Sequence, residues 1–197
     1  MKKTDAKKLI LEKSIDLFYK HGFVRASIRD IVRSVGINNS TVYTHFTNKD
    51  QILYTIIQDI GAKLLKELRK ALEKHDDPVE CLYEMIFRQS CLVKEKRKEL
   101  KIYIEEQYQL PEPFKSLAIK QQRQIYDIYY DKICELEDRS LLQQGIDKTV
   151  VIFSAFSMMN WTCRWYKENG KLSIEEVANN SASIFFNGIL TEKKRFS

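Results

Sequence analysis

Between Asn38 and Lys49 the chain sets out a row of hydrogen-bonding side chains with no acid among them: Asn38, Asn39, Ser40, Thr41, Tyr43, Thr44, His45 and Lys49. An asparagine amide carries a donor and an acceptor side by side, which matches the major-groove edge of adenine, while serine and threonine hydroxyls reach several base edges. Tyr43, Thr44, His45 and Lys49 suit phosphate oxygens, contacts that fix register without reading sequence. Ile37, Val42 and Phe46 fall between them at a spacing that turns them toward a neighbouring helix. The chemistry this row can do is recognition of duplex DNA. An ordinary two-helix corner with a solvated polar face has the same spacing, so the pattern alone leaves both readings open.

The elements that must hold this row are legible on either side. Ser27 is an N-cap, and Asp30 three residues on completes a box with it at the positive end of a helix. Ile28, Ile31, Val32 and Val35 form one apolar stripe along that helix. Gly36 ends it where a left-handed backbone is cheap. Asn38 is a natural cap for a second helix running to Phe46. A helix pair of this kind places its second helix in the major groove, leading with its N-terminal residues. Ser27 and Arg29, at the start of the first helix, join the candidate DNA contacts.

The run from Leu9 to Lys49 resembles the N-terminal DNA-binding domain of the TetR family of transcriptional repressors. The likeness is carried by Phe18, Gly22 and Phe23, by Ser27, Ile28 and Ile31, by Gly36, and by Thr41, Tyr43, Phe46 and Lys49. Asn39 stands where the family often has Lys and Ser40 where it often has Gly, so no operator sequence carries over with the resemblance. Val32 and Val35 are bulkier than the Ala common there, and the helix–helix contact is expected to open slightly.

The chain has 197 residues, 44% hydrophobic and 30% charged, with only 6 Gly and 3 Pro, which points to an all-α fold. The net charge of +6 points to a polyanionic partner, and residues 1–50 hold ten Lys and Arg against five acids, so most of the excess lies with the candidate DNA reader. The four cysteines, Cys81, Cys91, Cys134 and Cys163, show no zinc spacing and read as reduced thiols. No apolar run is long enough to span a membrane and the N-terminus has no signal core, so the expected location is cytoplasmic with no membrane partner. The three histidines are scattered, and no nucleophile elbow, phosphate loop or metal motif is present. The expectation is therefore a protein that is not an enzyme and carries no metal or cofactor.

The expected architecture is a three-helix helix-turn-helix DNA-binding domain over residues 1–48 and a larger helical ligand-binding and dimerisation domain over 49–197, about nine helices in all. A basic arm at Met1 to Lys3 precedes a first helix capped by Thr4, whose inward stripe is Ile10, Ser14, Leu17 and Phe18. Asn48 and Asp50 open a long helix of roughly 25 residues, about 35 Å, which ties the DNA reader to the C-terminal domain. Further helices start at Asp77–Pro78, near Lys98, at Phe114, after Asp147 and at the Ser173/Glu176 capping box, and the chain ends in a polar tail from Glu192.

The last two long helices are the expected dimer contact, through Ser154, Ser157, Trp161, Trp165, Val177, Ser181, Ile184, Phe185 and Gly188. Small residues beside large ones allow close helix approach, though a plain intrachain core explains them as well. A single recognition helix reads too few base pairs, whereas a homodimer reads a palindromic operator. The aromatic load of the central helices, Phe87, Tyr103, Phe114, Tyr126, Tyr130, Phe153, Phe156 and Trp161, suits either an apolar ligand pocket or an aromatic core.

The segment from Phe156 to Leu190 is similar to the C-terminal part of TetR relatives that respond to fatty acyl-CoA, through Asn160–Trp161, Trp165–Tyr166, Gly170, Leu172–Ser173, Glu176 and Gly188. That resemblance implies a small hydrophobic ligand of the acyl-CoA type, with Arg123, Arg164 or Lys120 as candidates for its phosphates. The alternatives are a multidrug-type sensor of the same family, with Glu105 and Glu106 as acids for a cationic ligand, and a ligand-free architectural DNA-binding protein.

Overall fold

The computed structural model describes residues 3–191, and its side chains from Asp5. Met1, Lys2, the Thr4 cap and the Glu192–Ser197 tail lie outside those limits. Among the described residues the fold is all helix: α1 (Lys3–His21), α2 (Ile28–Val35), α3 (Asn39–Tyr43), α4 (Lys49–Lys74), α5 (Pro78–Glu105), α6 (Phe114–Asp138), α7 (Lys148–Trp165) and α8 (Ile174–Ile189), with one 3-10 turn at Gln107–Gln109. The nine expected helices are met as eight, because the chain does not stop near Leu92. It runs on through α5, and the expected break is reduced to a kink at Lys96 (φ −124°, ψ 24°).

Each helix start has a local cause. Ser27 caps α2 by accepting the N–H of Asp30 at 3.2 Å, and Asp30 accepts the Ser27 N–H at 3.0 Å. Gly36 closes α2 at φ 73°, and its N–H returns to the Val32 carbonyl. Asn48 accepts the Gln51 N–H at 2.8 Å at the head of α4, and Asp77 accepts from Val79 at 2.9 Å at the head of α5. Asp147 caps α7 through Val150 at 3.0 Å, and Ser173 with Glu176 forms the capping box of α8.

The chain divides into two compact units, Met1–Ala62 with Lys98–Gln121, and Lys63–Arg97 with Gln122–Ser197. Three helices, α4, α5 and α6, are each shared between the units, so no single cut in the sequence, at residue 48 or elsewhere, separates them. In the first unit the α1 stripe Ala6, Ile10, Ser14 and Phe18 is buried at steps of four, with Leu17 half-buried beside it. The buried hydroxyl of Ser14 is satisfied by the Ile10 carbonyl at 2.7 Å. Ile31 of α2, Val42 of α3, Phe46, Ile52 and Leu53 of α4, and Ile102 and Leu110 complete that core. The second unit packs Leu68, Leu82, Met85, Tyr129, Ile133, Leu136, Ile152, Ala178 and Phe186, every one of them buried.

Candidate nucleic-acid interface

Ile31 and Val42 are both 0% exposed, and they fix α2 against α3, so the residues between and beyond them have one way to face. Asn38, Asn39, Ser40, Tyr43 and Thr44 are exposed, and Thr41 and His45 are half-buried. The acid-free rim read from the sequence is thus one continuous surface at the head and flank of α3. Two details differ from expectation. Helix α3 ends at Tyr43 rather than Phe46, with the Thr44 hydroxyl turned back onto the Thr41 carbonyl at 2.7 Å. Asn38 occupies the cap position but its side chain makes no cap hydrogen bond.

Ser27 and Arg29 sit at the head of α2. The Ser27 hydroxyl donates to Asp30 Oδ2 at 2.5 Å and accepts the Asp30 N–H, so both its hydrogen-bonding directions are already engaged. Hydrogen bonds from the Ser27 hydroxyl and backbone N–H hold the Asp30 carboxyl below its ordinary value, with Arg33 and His21 adding to the effect. Arg29 is exposed on that helix. A cleft of about 400 Å³ between α1 and α2 is lined by His21, Arg25, Asp30 and Arg33 among others.

Lys49 departs most from its expected place on a phosphate. Its ammonium donates to the carbonyls of Phe23 and Ala26, at 2.9 Å each, and lies 4.2 Å from the centre of the Phe23 ring. Those carbonyls belong to the corner between α1 and α2, outside any helix ladder, and need donors from elsewhere. Lys7 is a cation that the sequence pattern does not single out. It is exposed with its ammonium 5.7 Å from the Phe46 ring, just past α3, so it brings a positive charge to the rim from α1. Its position depends on tertiary packing, and no local pattern around residue 7 signals it.

The residues expected at the dimer contact lie in the second unit and sort by face. Ser154, Ser157, Trp161 (61% exposed) and Trp165 (49%) stand outward on α7 with Val150 and Phe153, and Ile184 (68%) and Gly188 stand outward on α8, where a side chain added to Gly188 would meet nothing. Ser181 is half-buried. Val177 (3%) and Phe185 (6%) are core residues instead, because they fall on the α8 face that packs inward. Five large apolar side chains standing outward on these two helices are what an uncovered interface presents.

The expected pocket residues are divided between the two units. Tyr103 and Phe114 belong to the first unit, where Phe114 stacks on Tyr54 at 4.7 Å and Tyr103 packs on the core. Phe87 stacks on Tyr83 at 6.4 Å. Trp161, expected in both the pocket and the dimer contact, is on the outer face with the Arg164 guanidinium 5.3 Å from its ring. Tyr126, Tyr130, Phe153 and Phe156 do associate: Tyr126 lies 6.0 Å from Tyr130 and from Phe153, and Phe153 lies 6.0 Å from Phe156. An open groove of about 490 Å³, lined by Thr149, Val150, Phe153, Ser154 and Ser157, adjoins them.

Comparison with known proteins places this arrangement. Residues 10–55 match the family described as bacterial regulatory proteins, tetR family. Residues 75–189, more than half of the chain, match the tetracyclin repressor-like C-terminal domain. The HTH-type transcriptional repressor KstR2 of Mycolicibacterium smegmatis is 24% identical over 186 residues, which cover 91% of this chain and 88% of that protein. The fold is similar to that of the ketosteroid transcriptional regulator KstR2 of Mycobacterium tuberculosis, with a TM-score of 0.87 at 20% identity over 94% of this chain and 95% of that one. It is also similar to AibR in complex with isovaleryl coenzyme A and operator DNA, with a TM-score of 0.83 at 22% identity over 92% and 98% of the two chains. The segment that holds α3 thus matches a family of proteins that regulate transcription, and this chain belongs to the TetR family of bacterial regulatory proteins as a DNA-binding transcriptional regulator.

Proposed function

We propose that the protein is a cytoplasmic repressor that binds a palindromic operator as a homodimer and is released from it by a small hydrophobic ligand of the acyl-CoA class. The observation that carries the DNA-binding part is the acid-free surface from Asn38 to Thr44, held on α3 by the buried Val42. Asn39, Ser40 and Thr41 are assigned to base edges, and Arg29, Tyr43, Thr44, His45 and Lys7 to phosphates. Lys49 acts one step back, by bracing the corner that positions α2. Two copies are needed because one five-residue recognition helix covers too little sequence, and the exposed apolar side chains on α7 and α8 supply the pairing surface.

The ligand class is supported by the aromatic load of the second unit and by the likeness to AibR, whose structure holds isovaleryl coenzyme A and operator DNA. Release requires the ligand to prefer a state in which paired recognition helices no longer match successive grooves. Helices α4, α5 and α6, each shared between the two units, are the covalent route for that preference. A multidrug-type sensor is less well supported, because the acids it needs are engaged elsewhere: Glu106 accepts the Phe23 N–H at 3.1 Å and Glu105 lies 4.0 Å from Lys101. Selection from random duplex DNA, repeated with acyl-CoAs of varied chain length, tests the proposal. One palindromic sequence should emerge, and at least one acyl-CoA should abolish its recovery. Recovery unchanged by every acyl-CoA removes the ligand class and leaves the repressor standing.

A further inference from the structure

We infer that the side-chain amide of Gln89 is the polar anchor of the ligand site, donating a hydrogen bond from Nε2 to the carbonyl oxygen of an acyl thioester. The inference rests on the ligand-released reading above and names the group that recognises the ligand's carbonyl.

Gln89 is 7% exposed, within the second unit. Its Oε1 accepts a hydrogen bond from Tyr129 Oη at 3.2 Å, and its Nε2 has no partner. Turning the amide over does not repair this. One N–H would then meet Tyr129 and the second would still be unmatched, so a partnerless N–H remains in either orientation. A buried N–H without an acceptor is costly, and folded proteins keep few of them. The N–H is therefore best read as a group waiting for an acceptor that arrives from outside.

Its surroundings suit an apolar chain bearing one such acceptor. Tyr129 is 1% exposed, and burial pushes its hydroxyl up, so it stays protonated and keeps donating to Gln89. Met159 Sδ lies 3.8 Å from Tyr129 Oη, a thioether that can swing aside to admit a guest. Tyr129 meets Phe156 edge-on at 5.0 Å, and Phe156 meets Phe153 at 6.0 Å. A run of three aromatic rings thus flanks the unpaired amide. A hydrocarbon ligand would leave the N–H unmet, whereas an acyl thioester supplies the acceptor and keeps the rest of the site apolar.

The test compares release from operator DNA by isovaleryl-, octanoyl- and palmitoyl-CoA with release by the matching S-alkyl-CoA thioethers, in which a methylene replaces the carbonyl. Wild type should respond to at least one thioester at roughly tenfold lower concentration than to its thioether, the effect of one added hydrogen bond. Gln89→Met keeps the volume and loses the donor, and should respond to both within about twofold. Tyr129→Phe keeps the amide but loses the hydroxyl that orients it, and should shrink the thioester preference without abolishing it. Where the single Met variant does not hold operator, the Gln89→Met/Tyr129→Phe double variant, which buries neither polar group, takes its place with the same expected loss. A thioester preference undiminished by loss of the amide overturns the inference and leaves the ligand-released reading intact. A wild type released by none of the thioesters overturns that reading, and the inference with it.

Discussion

The carboxylate of Glu106 accepts the backbone N–H of Phe23 at 3.1 Å, across 83 residues of chain. The carbonyl of Phe23 accepts from the Lys49 ammonium at 2.9 Å. The corner between α1 and α2 is therefore gripped on both backbone polar groups of one residue by opposite charges, one from the head of α4 and one from just past the end of α5. Gly22, at φ 79°, makes the close approach feasible, since a side chain there would sit 3.4 Å from Glu106 Oε1 in a backbone conformation that other residues resist. This corner sets the angle at which α2, and through it α3, is presented.

Lys49→Met should accordingly act through the fold. It removes two charge-assisted hydrogen bonds and a cation–π contact, and should lower stability by about 1–3 kcal/mol. Operator binding should weaken while the dependence of log affinity on log salt keeps its slope, because no phosphate contact is lost. Thermal unfolding and binding isotherms at several salt concentrations check this. A slope reduced by about one would return Lys49 to the phosphate backbone.

Substitutions in the rim should divide into two kinds. Asn39→Ala and Thr41→Ala should relax the preference at a particular base pair by about 1–3 kcal/mol. Arg29→Ala, Tyr43→Phe and Lys7→Ala should weaken binding to all sequences alike, the two cation losses each lowering the salt slope by about one. Binding to a panel of single-base operator variants separates the kinds.

Much of this surface is legible in the sequence, and the limits of legibility have physical causes. The Ser27/Asp30 box, Gly36 and the buried Val42 are set by neighbours within a turn or two, so the pattern carries them. The Lys49 brace and the Glu106 contact join residues 26 and 83 positions from Phe23, and no local spacing announces such a pairing. Val177 and Phe185 are expected on the dimer face and lie in the core, because helical spacing gives faces but not which of them turns inward. Trp161 and Trp165 do stand outward on α7, as the spacing of that helix suggests. The aromatic residues expected in the pocket are divided between the two units, since aromatic content does not say which unit a residue joins.

Pairing should be separable from folding. Trp161 and Ile184 are 61% and 68% exposed, so Trp161→Glu with Ile184→Glu should leave each chain folded with its helical content unchanged. The variant should sediment as a monomer and lose operator binding. A dimer that persists would move the interface to another face.

A carboxylate network gives the second unit a pH limit. Arg88 lies 2.6 Å from Glu84 and 3.3 Å from Glu67, with Lys70 2.7 Å from Glu67 and Lys74 3.3 Å from Glu84. Partial burial raises both carboxyls, but hydrogen bonds and charges from Lys70, Lys74 and Arg88 outweigh it and hold both below the ordinary 4.5. Their folded values lie under their unfolded ones, so the stabilisation is present above about pH 4.5 and is lost as pH falls through and below it. Arg88→Met should cost about 1–2 kcal/mol at neutral pH, and the gap between variant and wild type should narrow in acid. Melting curves from neutral pH down into acid read both effects.

The most direct measurement is the stoichiometry and sequence dependence of the protein on duplex DNA, read by sedimentation of the purified chain with a selected palindrome and with a shuffled duplex of equal length. The account predicts two chains on the palindrome, at an affinity roughly a thousandfold or more above that for the shuffled duplex at moderate salt. One chain per duplex, or equal affinity for the two sequences, would contradict it.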